Sequence, residues 1–355
     1  MLEENTVGGQ QVGVVLATDE ATVTGNRIGT NPAGSSARPN QVGMIVPGEI
    51  TLSGGSPIPF GDDNAFVGNV ISGNTLMGAL FGGALDFSET NETFAPLQNR
   101  AAILGSPDRN TLVGNRIGTD ASGLSALGNG ANDAQPGFGV WLSSGAENVL
   151  LGNVLSGNGV GLFVGGAPDD RPRPHHTRFG GNIIGGTLGG GVIPNRAGGV
   201  LIDRADDTVI APAPVVANGP DVPNLFQGNL GDFAIGVVSQ GATGVRNVVR
   251  KGVFTGNVGP SIVHIDADHP GQRPAGVPAP PTMLSSIVEN DQLSARVMPQ
   301  VSGAVDVYLS QNCVGGIAQG FHVLTLEGVT GVGADLTLPA PPGDPQHAQI
   351  GRAHV

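Results

Sequence analysis

Gly25-Asn-Arg-Ile-Gly-Thr30 and Gly114-Asn-Arg-Ile-Gly-Thr119 are the same six residues, and their reading decides the fold. Shorter echoes surround them: Phe66-Val-Gly-Asn-Val-Ile-Ser-Gly-Asn74, Leu150-Leu-Gly-Asn-Val-Leu-Ser-Gly-Asn158, Phe179-Gly-Gly-Asn-Ile-Ile-Gly-Gly186, Phe226-Gln-Gly-Asn-Leu230 and Phe254-Thr-Gly-Asn-Val258. One grammar recurring at variable spacing marks a repeat protein, each unit a supersecondary element that stacks on the next. Within the phrase, Gly and Asn tolerate the tight or left-handed backbone of a corner. Ile then enters a core, and Gly-Thr opens an insertion.

A second phrase alternates with the first: a small residue, then apolar residues at every second position. Examples are Gly43-Met-Ile-Val46, Gly78-Ala-Leu-Phe81, Gly139-Val-Trp-Leu142, Gly161-Leu-Phe-Val164, Gly199-Val-Leu-Ile202 and Ser261-Ile-Val-His-Ile265. Gly139 and Gly161 are 22 residues apart. Such a unit holds three short strands and three turns, one coil of a parallel β-helix stacked on the next at about 4.8 Å. Alternate residues point inward, so Val140 and Leu142 are assigned to the core and Trp141 and Ser143 to the outside. Asn at equivalent turns of successive coils is expected to form a hydrogen-bonded ladder. The 61 residues between Gly78 and Gly139 hide a degenerate coil or make Ser88 to Arg100 a long excursion.

Composition agrees. Gly and Pro number 60 and 27, about a quarter of 355 residues, but the glycines fall regularly beside short aliphatic runs, as turns do. No stretch keeps helical apolar spacing free of Gly and Pro. A net charge of −13 argues against a nucleic-acid partner, which needs Lys and Arg to neutralise phosphates. No apolar run approaches the roughly 20 residues of a transmembrane segment. The single Cys313 excludes an internal disulfide framework.

These phrases resemble bacterial right-handed parallel β-helix repeat proteins, which are typically large exported or surface-associated chains. The resemblance covers Val12 to Asp268 and implies a fold far more than an activity, because the superfamily spans lyases, hydrolases, epimerases and adhesins. The expected architecture is all-β. Residues 1–270 form a β-helix of about eight coils that is a truncated piece of a longer exported protein. Residues 271–284 form a Pro-rich linker. Residues 285–340 form a small antiparallel β-sandwich-like module, where the strand pattern changes to period two. Residues 341–355 are a tail, with Ile350-Gly-Arg-Ala-His-Val355 read as a sequencing-adapter remnant.

Relatives that cut polysaccharides place acids, Arg, Lys or His on an outer sheet of neighbouring coils. The local counterparts are Asp203, His264 and Asp266. If Val200, Ile202, Val263 and Ile265 point inward, all three point out, with Asp203 and Asp266 two coils and about 10 Å apart. Asp after a strand more commonly caps a turn. Trp141 and Phe163, on neighbouring coils, are the candidates for stacking on a sugar ring, unless a covering loop buries them. Asp62-Asp63, Asp169-Asp170 and Asp206-Asp207 suit Ca²⁺ by ligand type but lack the periodic spacing of calcium-binding β-rolls, so no cofactor is assigned. His175 and His176 are adjacent without a third metal ligand. The expected function is a non-enzymatic, extracellular or cell-surface scaffold that binds polysaccharide or another cell-envelope component. The alternative is a carbohydrate-active lyase, hydrolase or epimerase.

Overall fold

A computed structural model describes residues 1–51, 58–82, 84–86, 106–130, 137–165, 172–240, 243–244 and 246–268, and the backbone of the six C-terminal strands named below. Among the described residues no helix occurs, and none is therefore long and apolar enough to cross a membrane. Three parallel sheets of eight strands each run along residues 1–268, and the chain visits them in turn eight times. It winds as a right-handed parallel β-helix, the hand expected of parallel crossovers.

Coil 1 comprises Leu2–Glu3, Thr6–Val7 and Val12–Val15, one strand in each sheet. Coil 2 comprises Thr22–Thr24, Arg27–Ile28 and Val42–Val46; coil 3, Ala65–Val67, Val70–Ile71 and Met77–Phe81. Coil 4 comprises Thr111–Val113, Arg116–Ile117 and Phe138–Leu142; coil 5, Val149–Leu151, Val154–Leu155 and Val160–Gly165. Coil 6 comprises Arg178–Gly180, Ile183–Ile184 and Gly198–Asp203; coil 7, Val209–Ile210, Leu225–Gln227 and Ile235–Ser239; coil 8, Val248–Val249, Val253–Thr255 and Ile262–Asp266. Phe138–Leu142 pairs directly with Met77–Phe81, so no further coil lies between them. Ser88 to Arg100 lies outside the described residues.

One side chain from each short strand fills the interior. Val23, Phe66, Leu112 and Leu150 line the first sheet, Ile28, Ile71, Ile117 and Leu155 the second, and Met44, Ala79, Val140 and Leu162 the third. Each is buried, and in-register stacking leaves no edge inside the solenoid.

Short strands cannot hold a coil by themselves; the corners do. Between the first and second sheets, Asn5, Asn26, Asn69, Asn115, Asn153, Asn182 and Asn224 form a continuous ladder. Each backbone N–H donates to the next side-chain carbonyl at 2.9–3.0 Å. Between the second and third sheets, Asn40, Asn74, Asn129, Asn158, Asn195, Asn229 and Asn257 repeat the device, with Asn195 donating to Asn229 through its side-chain Nδ2. A third ladder precedes the first sheet through Asn64, Asn110 and Asn148. There Thr177 and Thr208 take the next two places, and their buried hydroxyls make no hydrogen bond. All but Gly128 of the glycines directly before these asparagines adopt left-handed φ, +63° at both Gly25 and Gly114. Gly228-Asn229 and Gly256-Asn257 belong to the second ladder, not to the corner of Gly25-Asn26. The same dipeptide therefore serves two different corners.

The repeated hexapeptide marks a two-coil alternation. In coils 2 and 4 it leads into insertion loops closed by Thr30–Ala37 and Thr119–Ala126 bridges, and coil 6 has a shorter loop closed by Gly186–Val192. Coils 3 and 5 have only Ser72-Gly-Asn74 and Ser156-Gly-Asn158. The Ser72 hydroxyl donates to the Thr119 carbonyl at 2.7 Å, and the Ser156 hydroxyl to Gly186 at 2.8 Å. Over coil 3 the loops touch, Ala121 N–H donating to Gly34 O at 2.8 Å. Asp120 organises its loop. Burial pushes its carboxyl up, but hydrogen bonds from Ser122 Oγ and from the N–H groups of Ser125, Leu124 and Gly123 outweigh this and hold it below the usual carboxylate range.

Beyond the solenoid, Thr282–Glu289, Gln292–Met298 and Ala334–Pro339 form one antiparallel sheet. Gly303–Val314, Ile317–Val329 and Gln349–Gly351 form another. The sequence reading placed Gln349–Gly351 in the tail. The Pro-rich run 271–281 lies outside the described residues.

Candidate functional site

The candidate acids do not share a face. In coil 6, Val200 and Ile202 enter the core and Asp203 points out. Asp203 aligns with Val238 in coil 7, which aligns with Ile265 in coil 8. His264 aligns with Val237 and Ile202, the core column, so it and Asp266 are out of phase with Asp203. The sequence reading had Val263 and Ile265 inward. A one-residue slip reverses every side chain, and coil 8 is the outermost of the described coils, so its inward column is flanked by another described coil on one side only, which relaxes its demand for apolar residues. Ile262 supplies the core contact, while Ile265 is 37% exposed. The carboxylate of Asp203 is also engaged: Arg204 Nε and Nη2 donate to its two oxygens at 3.0 and 3.1 Å. Asp266 Oδ1 accepts the N–H of Asp268 at 2.9 Å, as a turn-capping aspartate does.

Trp141 and Phe163 do lie on the outer face of neighbouring coils, as direct register partners. They stack on each other, with centroids 5.5 Å apart and ring planes 24° apart, and Phe138 joins at 5.0 Å from Phe163. Trp141 Nε1 donates to Gly165 O at 2.8 Å. Phe163 is 9% exposed, while Trp141 and Phe138 are half-buried. The ring spacing follows the coil spacing, so the triad is first an aromatic ladder, with Trp141 and Phe138 its accessible members. The outer face of this sheet continues apolar through Leu80 and Ile45, both buried.

The acidic pairs sit on a different corner, ahead of the first sheet. There Glu20, Asp63, Arg109, Glu147, His176, Asp207 and Arg246 occupy equivalent left-handed positions on successive coils. Arg109 bridges Asp62 and Asp63 at 3.0 and 2.8 Å, and Arg246 grips Asp207 through two nitrogens. The Arg246 guanidinium holds the Asp207 carboxyl below the usual range, and Arg109 does the same for Asp63. Asp19, Asp62 and Asp108 each accept a backbone N–H from the following coil. These acids tie coils together. His176 Nε2 lies 3.8 Å from Asp207, and His175 is bonded to Arg173 O. Asp169 and Asp170 lie outside the described residues. Among the described residues no three His, Cys, Asp or Glu are grouped to hold a metal ion.

One pair escaped the sequence reading: Arg27 and Arg116, the arginines of the repeated hexapeptide. Both lie on the outer face of the second sheet, aligned through Val70 of the intervening coil. Each is half-buried, and the Nε of each is buried without a hydrogen-bond partner. The signal was present in the repeat itself, since only the variable position of the phrase carries a charge.

No family model matches the sequence, and no curated protein is similar to it. Among solved structures, the enzymatically active domain of tailspike protein 2 from bacteriophage CBA120 is similar at 10% identity with a TM-score of 0.30. The match covers 90% of this chain and 58% of that one, so this chain spans less than two thirds of that domain's length. The chain's own sheets and ladders make it a right-handed parallel β-helix.

Proposed function

We propose that this chain is a non-enzymatic β-helix scaffold, extracellular or at a cell surface, that binds polysaccharide along its side. The observation that carries the reading is the state of Asp203. It is the only one of the three candidate catalytic residues in an outward row, and both its oxygens are engaged by Arg204. Acid–base or nucleophilic glycoside chemistry needs a second carboxyl at defined separation on the same face, and Asp266 is out of phase with it. Binding needs less. A rigid solenoid repeating at about 4.8 Å presents aligned side chains to a linear polymer, with Trp141 offering aromatic surface.

A panel of neutral and acidic glycans, scored both for binding and for release of reducing or unsaturated ends, tests this reading. Retained glycan without turnover is the expected result. Turnover lost on Asp203→Asn would replace it with the enzymatic alternative.

A further inference from the structure

We propose that Arg27 and Arg116 form a two-point docking row for an acidic polysaccharide whose carboxylates recur on alternate sugars. This rests on the reading of the chain as a polysaccharide binder and names the class of polymer.

The row follows from the two-coil alternation. Arg27, Val70 and Arg116 are direct register partners in coils 2, 3 and 4. The two arginines therefore stand two strand spacings apart, about 10 Å, on one face of one sheet. Val70, which is buried, separates them, so neither charge has a neighbour of either sign on the strand between. An extended glycan carrying an acid on every second sugar presents its charges with a matching alternation.

The chemistry of each arginine is that of an incomplete pair. Arg109, Arg204 and Arg246 are all closed by aspartates of the same or the adjoining coil. The side chains of Arg27 and Arg116 make no ion pair or hydrogen bond to any described residue. The insertion loop of coil 4 shelters the root of its arginine, since a Cβ on Gly123 would stand 3.4 Å from Arg116 Nε. Asp120 in that loop turns its carboxylate to Ser122, Leu124 and Ser125 instead. With Nε closed off, an incoming anion meets the two terminal nitrogens, the fork geometry that suits a carboxylate. A guanidinium stays charged and is weakly hydrated, so a half-buried one without a partner favours an anion supplied by a ligand.

The net charge of −13 does not forbid this. Several aspartates are already neutralised at the corner ahead of the first sheet, and at physiological ionic strength charges beyond about 8 Å are largely screened. Two arginines are too few for the phosphate backbone of a nucleic acid, whose binding scales with the number of phosphates neutralised.

The test uses the full chain with Arg27→Gln, Arg116→Gln and the double variant. Titration calorimetry measures binding of hyaluronan and chondroitin octasaccharides, in which uronic acids alternate with hexosamines, and of their carboxyl-reduced forms. Each single variant is expected to raise Kd about fivefold, and the double about 25-fold, because sites this far apart act additively. Carboxyl reduction should weaken the parent chain as much as the double substitution does. Arg→Lys variants, which keep charge but lose the fork, should fall between. Melting midpoints should stay at the parent value, since no internal hydrogen bond is lost. Equal affinity of the parent and the double variant for acidic and reduced forms would overturn the row while leaving the chain a glycan binder. No binding across the wider glycan panel would overturn both readings. Tighter binding of duplex DNA, lost with the same substitutions, would overturn the assignment to a glycan.

Discussion

Replacing Asn115 by Ala removes the central rung of one of the two seven-residue ladders, and the structure shows what is lost. Its Nδ2 donates to Phe66 O and to Asn153 Oδ1, both at 2.9 Å. Its Oδ1 accepts the backbone N–H of Asn69 at 2.9 Å and Asn69 Nδ2 at 3.0 Å. Four hydrogen bonds disappear, all buried, and the Asn69 N–H loses its ladder acceptor. At about 1 kcal/mol per bond the loss is roughly 4 kcal/mol, and the stranded Asn69 N–H keeps it from being smaller. That is a large fraction of an ordinary domain's stability. Denaturant unfolding measures the total, and amide exchange locates it, with Asn69 expected to lose protection first because a solenoid couples mainly to nearest neighbours. Asn31→Ala is the control. Asn31 Oδ1 likewise accepts a backbone N–H, that of Ser35 at 2.9 Å, but at an exposed loop where water substitutes, so less than 1 kcal/mol is expected. Asn115→Asp separates shape from hydrogen bonding. The new carboxyl faces the Phe66 and Asn153 oxygens in a buried site, so its pKa is raised and only its protonated form fits. Destabilisation should therefore deepen as pH rises above the unfolded carboxylate pKa of about 4, and ease in acid. A cost at Asn115 no greater than at Asn31 would refute the ladder as the source of coil cohesion.

Thr208→Asn should stabilise the chain by about 1 kcal/mol in the same unfolding assay, by putting an amide where a buried hydroxyl now makes no hydrogen bond; a loss would mean the corner cannot hold the larger side chain. For Asp207 and Asp63, folded pKa values held low by Arg246 and Arg109 mean a contribution present above the unfolded carboxylate pKa of about 4 and lost as pH falls through the lower folded value. Arg246→Gln should flatten the acid limb of the stability profile, and high salt should reduce the difference because the pair is exposed. An unchanged profile would show that the pair contributes nothing to folding.

Much of the fold was legible in the chain. Gly25-Asn-Arg-Ile-Gly-Thr30 contains a left-handed glycine, a ladder asparagine and a core isoleucine, and each role follows from chemistry that any sequence carries. The phase of Val140, Trp141 and Leu142 was legible too, because neighbouring coils enforce apolar alternation on both sides. The phase at His264 was not. Coil 8 has one described neighbour, so its pattern is weaker, and Val263-His-Ile265 reads equally well in either register. Nor could the sequence tell that Gly228-Asn229 turns a different corner from Gly25-Asn26. A corner needs a small residue and an amide, whichever two sheets it joins.

The sequence by itself determined that this chain repeats, that its turns are built from Gly and Asn, and that its interior is filled by short aliphatic strands. Only the tertiary structure decided which charges meet. Lateral partners in this solenoid are separated by anything from 21 to 61 residues, as between Asn5 and Asn26 and between Met77 and Phe138, so neighbours cannot be read from spacing. Stacking is what closes Asp207 with Arg246 at a corner, and leaves Arg27 and Arg116 in one row with no acid beside them.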